Sequence, residues 1–257
     1  MTGRLESRVA VVTGAGSGIG SAVATAFSSE GARVAVWDIN STQAKRVAGE
    51  IGGFGVGVDV SDRMAVHRAM ESSIQALGGL DILYNNAGIV APGSLGPDPA
   101  VVDTVVDIPE DALRKVIDIN LFGVFFCSQA AIPHMLKQGR GVIINTASGA
   151  AHAGFSRQAA YSASKGGVVA LTRQIMADYS PLGVRAVCIS PVRIETEMLS
   201  GILAAKAEGR AEMSAQHPIR RLGVAGDVAQ LAVFLASDEA AFLTGTVVPV
   251  DGGYLAK

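Results

Sequence analysis

The feature that most restricts what this chain can fold into is an alternation, kept up from end to end, of short β-branched runs with longer stretches of helical period. The short runs fall at residues 9–13, 33–38, 54–58, 81–85, 141–146, 184–190 and 246–250, and helical patterns begin near Gly18, Ser41, Ser61, Pro109, Ala159 and Gly226. A strand, a helix and a further strand in that order make a βαβ unit, whose parallel strands must be covered on both faces. The pattern therefore predicts an α/β fold, a doubly wound parallel sheet of about seven strands flanked by helices. Ser41 and Ser61 are expected to act as N-caps, because a hydroxyl there can accept from the free amides of a first helical turn.

Size and charge narrow the function. A chain of 257 residues, 49% of them apolar and 17% charged, has enough material for one large core, so a single domain over 1–257 is expected. The 21 basic and 23 acidic side chains are spread along the chain, with no basic run to attract a phosphate backbone, so nucleic acid is not an expected partner. Residues 1–8 are polar and run straight into a strand pattern, which leaves no room for a secretory signal and points to the cytoplasm. The most apolar stretch, 121–132, is too short to span a membrane and contains Ser128 and Gln129 before Pro133 ends it. Cys127 and Cys188 lie in apolar runs and read as buried, inert thiols. His67, His134, His152 and His217 show no ligand spacing, so no metal is expected.

Two stretches break the rhythm. Residues 91–107, with Pro92, Gly93, Gly96, Pro97 and Pro99, have turn chemistry and read as an inserted surface loop that either roofs the cleft or meets a neighbouring subunit. Residues 192–223 follow the end of a strand, where ligand lids sit in open parallel sheets, and 198–211 can form one or two short helices.

The first strand runs directly into Gly14-Ala15-Gly16-Ser17-Gly18-Ile19-Gly20 and then a helix. Glycines there let backbone amides approach a diphosphate, which the helix N-terminus favours electrostatically. A glycine cluster alone is equally a tight turn. Asp38, however, ends the second strand twenty residues after Gly18, where a carboxylate accepts from the ribose hydroxyls of a dinucleotide. The same carboxylate repels a 2′-phosphate, and neither Ser17 nor Ile39 is a basic residue that would offset it, so NAD is expected rather than NADP.

With these features in place the chain resembles, over its whole length, the short-chain dehydrogenase/reductase family of single-domain, Rossmann-like type. Thr13 to Gly20 is similar to the family's T-G-x-x-x-G-x-G turn, Asp59-Val60 to its adenine-contacting segment, and Asn85-Asn86-Ala87-Gly88 to its N-N-A-G. The resemblance implies cofactor contacts from Gly14, Ser17, Gly18, Ile19, Gly20, Asp38, Ile39, Asp59, Val60, Asn86, Ala87, Gly88, Tyr161, Lys165, Pro191 and Thr196. It implies a catalytic tetrad of Asn120, Ser148, Tyr161 and Lys165, with Asn120 holding a water that links Lys165 to solvent. It also implies a homotetramer built through two long helices, 111–137 and 159–182, and the last helix and strand. The sequence departs from the family at Pro191-Val192, where P-G is usual, which puts the nearby carboxamide contact in question.

The chemistry of the tetrad follows from residue type and spacing. Tyr161 and Lys165 are four apart and share a helix face, and an ammonium beside a phenol favours the phenolate. A free phenol titrates near pH 10, so useful basicity at neutral pH requires a shift of about 3 pH units, roughly 4 kcal/mol, from Lys165 and an oxidised nicotinamide together. Ser148 follows the fifth strand, where its hydroxyl can hold a substrate oxygen. Taken singly, these residues read as a turn former, a core amide, a solvated cation and a packing ring; their joint order implies hydride transfer between nicotinamide and a carbinol carbon, with Tyr161 as acid/base. The expected reaction interconverts a small secondary alcohol and a ketone. A 3-oxoacyl-thioester reductase, a sugar dehydrogenase and a non-catalytic NAD-binding sensor or scaffold are the alternatives. Arg193 and Glu195 read either as substrate contacts or as a surface pair at the lid base, and His152, Phe155, Arg157 and Gln158 as walls of the pocket.

Overall fold

The computed structural model describes residues 3–91, 103–199 and 207–256. Seven strands form one parallel sheet: β1 (Val9–Thr13), β2 (Arg33–Asp38), β3 (Phe54–Gly57), β4 (Ile82–Asn85), β5 (Gly141–Thr146), β6 (Val184–Pro191) and β9 (Val247–Val250). Their order is β3-β2-β1-β4-β5-β6-β9, so the winding reverses between β1 and β4 and opens a crevice at the carboxyl ends of those strands. A second ladder, β7 (Ile194–Glu195) with β8 (Gly223–Val224), ties the two ends of the lid region together. Two-residue strands carry no periodicity, and nothing in the sequence announced this pair.

Alternation along the strands sorts the core into two layers. Ala10, Val12, Val34, Val36, Ile82, Tyr84, Ile144 and Ile189 pack on one face with α1 (Gly18–Ser29), α2 (Ser41–Ile51) and α7 (Ala225–Ala236). Val11, Ala35, Trp37, Leu83, Ile143 and Ala186 point the other way, onto α3 (Arg63–Leu77), α4 (Glu110–Gln138) and α5 (Ala159–Tyr179). Successive Cβ atoms leave opposite faces of a strand, and burial on both faces explains why the runs read as continuously apolar. Each fully buried Val, Leu or Ile contributes about 1.5–3 kcal/mol. Trp37 is fully buried, and its indole N–H donates to Ser73 Oγ of α3 at 2.9 Å.

Several local expectations are corrected. The caps of α2 and α3 are Asn40 and Asp62, whose side chains each accept from two first-turn amides. Ser41 instead lies inside α2, and the Ser61 hydroxyl donates to Asp59 Oδ1 at 2.6 Å. An Asx side chain one residue before the helix has better reach to those amides than a serine inside it. By contrast, α4 runs through Pro133 to Gln138, close to the end expected for the long helix 111–137, with a π-helical stretch at Asp118–Phe122. By length and composition α4 could cross a membrane, yet Val124, Cys127, Ala131, Ile132 and Met135 are buried against the core. Cys127 and Cys188 are buried and unbridged, and burial pushes their thiols up to about 12 and about 11.

Of the inserted loop, residues 92–102 lie outside the described residues. Its end carries Asp103, a buried carboxylate whose Oδ1 accepts from Ala160 N at 2.9 Å while its carbonyl accepts from Ala159 N at 3.1 Å. The loop therefore caps α5, whose own N-cap residue Gln158 makes no side-chain bond. In the lid region, residues 200–206 lie outside the described residues, and α6 (Ala207–Ala215) provides one of the expected short helices.

Candidate active site

The crevice predicted by the strand order is a cleft of about 640 Å³ at the carboxyl edge of the sheet, a size suited to a small ligand. At one end, β1 turns through Gly14, with φ 61°, into α1. A Cβ on Gly14 would meet the Ala87 backbone at 2.8 Å, and one on Gly20 would lie 2.1 Å from the Gly14 carbonyl oxygen. Thr13 Oγ1 accepts from the amides of Asn86 and Ala87 at 3.0 Å each, while Asn86 Nδ2 donates to the carbonyls of Thr13 and Gly14. The N-N-A-G segment thus braces the glycine turn from the neighbouring strand. Ser17 caps α1 without a side-chain bond and no acidic residue lies in the first turn, so the turn's amides and the helix dipole face the cleft.

Asp38 reaches this turn from the end of β2. Its Oδ2 accepts from Gly16 N at 2.9 Å and its Oδ1 from Asn40 N at 2.9 Å. Arg46 approaches from α2, its guanidinium donating to Gly16 O at 3.3 Å, to Gln43 Oε1 at 2.8 Å and to Glu50 Oε1 at 2.7 Å. This basic neighbour of the nucleotide turn was not identified from sequence. It reaches the turn from eight residues beyond Asp38, and the Glu50 partner offsets its charge.

Every residue proposed from sequence as a cofactor contact lines the cleft except Gly20, which packs behind the turn against Gly14. Thr196 stands over the turn, its Cγ2 3.4 Å from where a Gly18 Cβ would be. The departure at Val192 costs no backbone strain there: the left-handed conformation, φ 51°, belongs to Arg193. Val192 N donates to Val250 O at 3.1 Å, and its side chain fills space that only glycine at 149 leaves open, since a Cβ there would lie 2.4 Å from Val192 Cγ2. A glycine turn, unblocked helix amides and a strand-end carboxylate in one cleft fit a dinucleotide.

At the other end stand Ser148, Tyr161 and Lys165. Ser148 caps the short helical turn Gly149–Ala151, accepting from Ala150 N at 3.2 Å, and is hydrogen-bonded to the Tyr161 phenol. Lys165 is buried. Its Nζ donates to Thr146 O at 2.8 Å and lies 5.8 Å from the centre of the Tyr161 ring. Burial pulls this lysine down to about 8, which leaves it charged at neutral pH. In the cofactor-free chain burial raises the Tyr161 phenol above its ordinary value, and the Ser148 hydrogen bond only partly opposes that. The lowering expected from sequence requires an oxidised nicotinamide as well as Lys165; the ammonium by itself, 5.8 Å from the ring centre, does not offset desolvation.

Asn120 does not line the cleft. It is fully buried in the π-helical stretch, its Oδ1 accepting from Ile89 N at 2.8 Å and its Nδ2 donating to Ile89 O at 2.8 Å and Ser164 Oγ at 3.1 Å. Ser164 in turn donates to the Tyr161 carbonyl at 2.7 Å. Both amide hydrogens are used, so the side chain clamps the backbone just past the N-N-A-G segment, at Ile89, to α5. Of the proposed walls, Phe155 and Gln158 line the cleft, while His152 bonds Ser190 Oγ at 2.9 Å behind it and Arg157 also stands outside the lining. Arg193 and Glu195 are not a pair: Glu195 is bridged to Arg210 of α6. Among the described residues no group of three or more His, Cys, Asp or Glu is placed to hold a metal ion.

The depressed lysine predicts a pH dependence of stability. An unfolded lysine titrates near pH 10.4, so between about pH 8 and 10 the unfolded chain holds a proton that the folded chain has released. Stability conferred by position 165 then rises with pH through that window, by about 3 kcal/mol at most. Urea unfolding of wild type and Lys165→Met at both ends of the window should show the wild type gaining on the variant as pH rises. A constant difference contradicts the assignment.

Fold and cleft together define a dinucleotide-binding α/β protein with a Ser-Tyr-Lys cluster beside the cofactor end of its sheet. A family model described as "Enoyl-(Acyl carrier protein) reductase" matches residues 14–255. The 2-(S)-hydroxypropyl-CoM dehydrogenase 3 of Xanthobacter autotrophicus is 39% identical, with 100% of each chain covered. The 2-dehydro-3-deoxy-L-rhamnonate dehydrogenase (NAD(+)) of a Sphingomonas species is 37% identical over 98% of this chain and 96% of its own. A crystal structure of 3-ketoacyl-(acyl-carrier-protein) reductase from Brucella melitensis, complexed with NADH, superposes with a TM-score of 0.88 at 34% identity, covering 98% of this chain and 99% of that one. The chain belongs to the short-chain dehydrogenase/reductase family.

Proposed function

We propose that this chain is an NAD-dependent oxidoreductase that interconverts a secondary alcohol and a ketone, with Tyr161 as the acid/base. The observation that carries the reading is the convergence of Ser148, Tyr161 and Lys165 on one end of the cleft whose other end is the glycine turn and Asp38. Relatives that are dehydrogenases of hydroxy compounds, one of them an NAD(+) enzyme by name, support both the reaction class and the cofactor.

When bound, the nicotinamide supplies the hydride acceptor or donor. The residues do the rest. Gly14, Ser17, Gly18 and Ile19 would offer amides to the diphosphate, Asp38 and Ile39 would border the adenosine ribose, and Asp59 and Val60 the base. Asn86, Ala87, Gly88, Pro191 and Thr196 would line the rest of its seat. Ser148 holds the substrate oxygen within reach of Tyr161, which takes the hydroxyl proton on oxidation and returns it on reduction. Lys165 keeps positive charge beside the phenol and would border the bound cofactor. Asn120 fixes the Ala87–Ile89 backbone against α5, so it positions Tyr161 rather than touching substrate. Ser148 and Tyr161 both address an oxygen atom, which favours a carbinol or ketone over the carbon–carbon double bond named in the family model's description.

Phe122 and Phe125 are exposed on the outer face of α4, and Leu182 and Phe242 are exposed elsewhere. These apolar residues support a homotetramer, and light scattering tests the subunit count. For the reaction, NAD⁺ reduction is followed by absorbance over a panel of secondary alcohols, with cofactor binding measured separately. Turnover supports the oxidoreductase. Tight NAD binding with no turnover across the panel would make the chain a sensor or scaffold.

A further inference from the structure

The cleft contains a cation, Arg193, that has no counter-charge among the described residues. Arg193 lines the cleft beside Phe155, Gln158 and Met213, and is held at φ 51°, a backbone region that a branched-chain or long side chain enters at some cost. Gly223 N donates to its carbonyl at 3.2 Å, so the lid's returning strand fixes this turn. Its guanidinium has five N–H donors. One reaches Met213 O at 3.4 Å, and the group lies 4.9 Å from the centre of the Tyr254 ring. Among the described residues no carboxylate is within ion-pair distance of it. By contrast, Arg210 and Arg221 of the lid region are paired with Glu195 and Asp227.

The ring behind Arg193 is itself anchored. Tyr254 stacks on Phe155 with ring centres 5.8 Å apart and packs at 5.3 Å against the buried His217, whose Nδ1 is 2.6 Å from the Asp251 carbonyl oxygen. The chain's last turn therefore holds a half-buried guanidinium at the cleft wall before anything binds, which lowers the ordering cost of meeting an anion there.

We propose that Arg193 recognises a carboxylate on the substrate, so that the enzyme acts on a hydroxy acid and the corresponding oxo acid in preference to neutral alcohols. This rests on the oxidoreductase reading above. A single planar guanidinium fork matches the two oxygens of a carboxylate. The cofactor's own phosphates have a separate seat in the glycine turn and the α1 N-terminus.

The test uses hydroxy acids of graded chain length and their methyl esters, with NAD⁺ reduction followed for wild type, Arg193→Gln and Arg193→Lys, and NAD affinity titrated for each. Wild type is expected to prefer the best acid over its ester by about 30-fold in kcat/KM, the value of a charge-assisted hydrogen bond, mainly through KM. Arg193→Gln should bring that ratio close to one, and Arg193→Lys should keep part of it. A wild type that turns over the esters as well as the acids overturns the proposal and leaves the oxidoreductase reading standing. So does an Arg193→Gln variant that loses acid and ester turnover alike, or one that loses NAD affinity in proportion. Absence of NAD⁺ reduction with acids, esters and neutral alcohols overturns the reading on which the proposal rests.

Discussion

Tyr161→Phe is expected to lower kcat by about 10³-fold, within the range set by a positioned acid/base, while NAD affinity stays within about twofold. The phenyl ring keeps the packing of the first turn of α5, which is fixed by the Asp103 cap and by Ser164 on the Tyr161 carbonyl rather than by the phenol itself. Only the oxygen is lost, and with it the partner of Ser148. Steady-state kinetics with a saturating alcohol, together with a cofactor titration, separate the two quantities. Near-normal turnover would remove Tyr161 from the proton transfer, and an equal loss of NAD affinity would make its role structural.

Asp38→Asn is expected to shift the preference between NAD and NADP by about 100-fold toward NADP, the equivalent of about 2.7 kcal/mol. The carboxylate is fixed by two backbone amides, Gly16 and Asn40, so it cannot swing away from a 2′-phosphate. Removing its charge leaves Arg46, already hydrogen-bonded to the Gly16 carbonyl and paired with Glu50, as the basic group nearest that side of the turn. The size of the effect follows from two like charges about 4 Å apart, worth about 4 kcal/mol at an effective dielectric of 20 and less where solvent enters. The ratio of kcat/KM for the two cofactors reads it directly, and a ratio unchanged by the substitution would assign the selectivity to other residues.

The sheet was legible because its strands are buried on both faces. Val9–Thr13, Arg33–Asp38 and Gly141–Thr146 have the bounds their apolar runs imply, and the glycine turn and Asp38 are set by the spacing of one βαβ unit. What the sequence did not reveal are contacts closed across long separations. Asp103 meets Ala160 from 57 residues away, Arg46 meets Gly16 from 30, and Tyr254 comes from the far end of the chain to carry Arg193 and Phe155. The candidate tetrad was readable in the sequence, but the partners of Asn120 were not. An amide in an apolar helical run signals that it has a partner, without saying that Ile89 and Ser164 use both of its hydrogens. The setting of Lys165 was hidden for a related reason: helical spacing puts it on the same face as Tyr161, but only coordinates show its amine held by the Thr146 carbonyl beside the ring.

That last point concentrates the mechanism in one quantity. Burial raises a phenol that is already protonated at neutral pH, so the proposed acid/base role needs bound NAD⁺ to supply further positive charge. An ultraviolet titration of tyrosinate, taken as the difference between wild type and Tyr161→Phe with and without saturating NAD⁺, measures this without a substrate. The prediction is a Tyr161 signal that ionises in the neutral range with NAD⁺ bound and only in strongly alkaline solution without it. A phenol that titrates at the same high pH in both states would contradict the proposed acid/base.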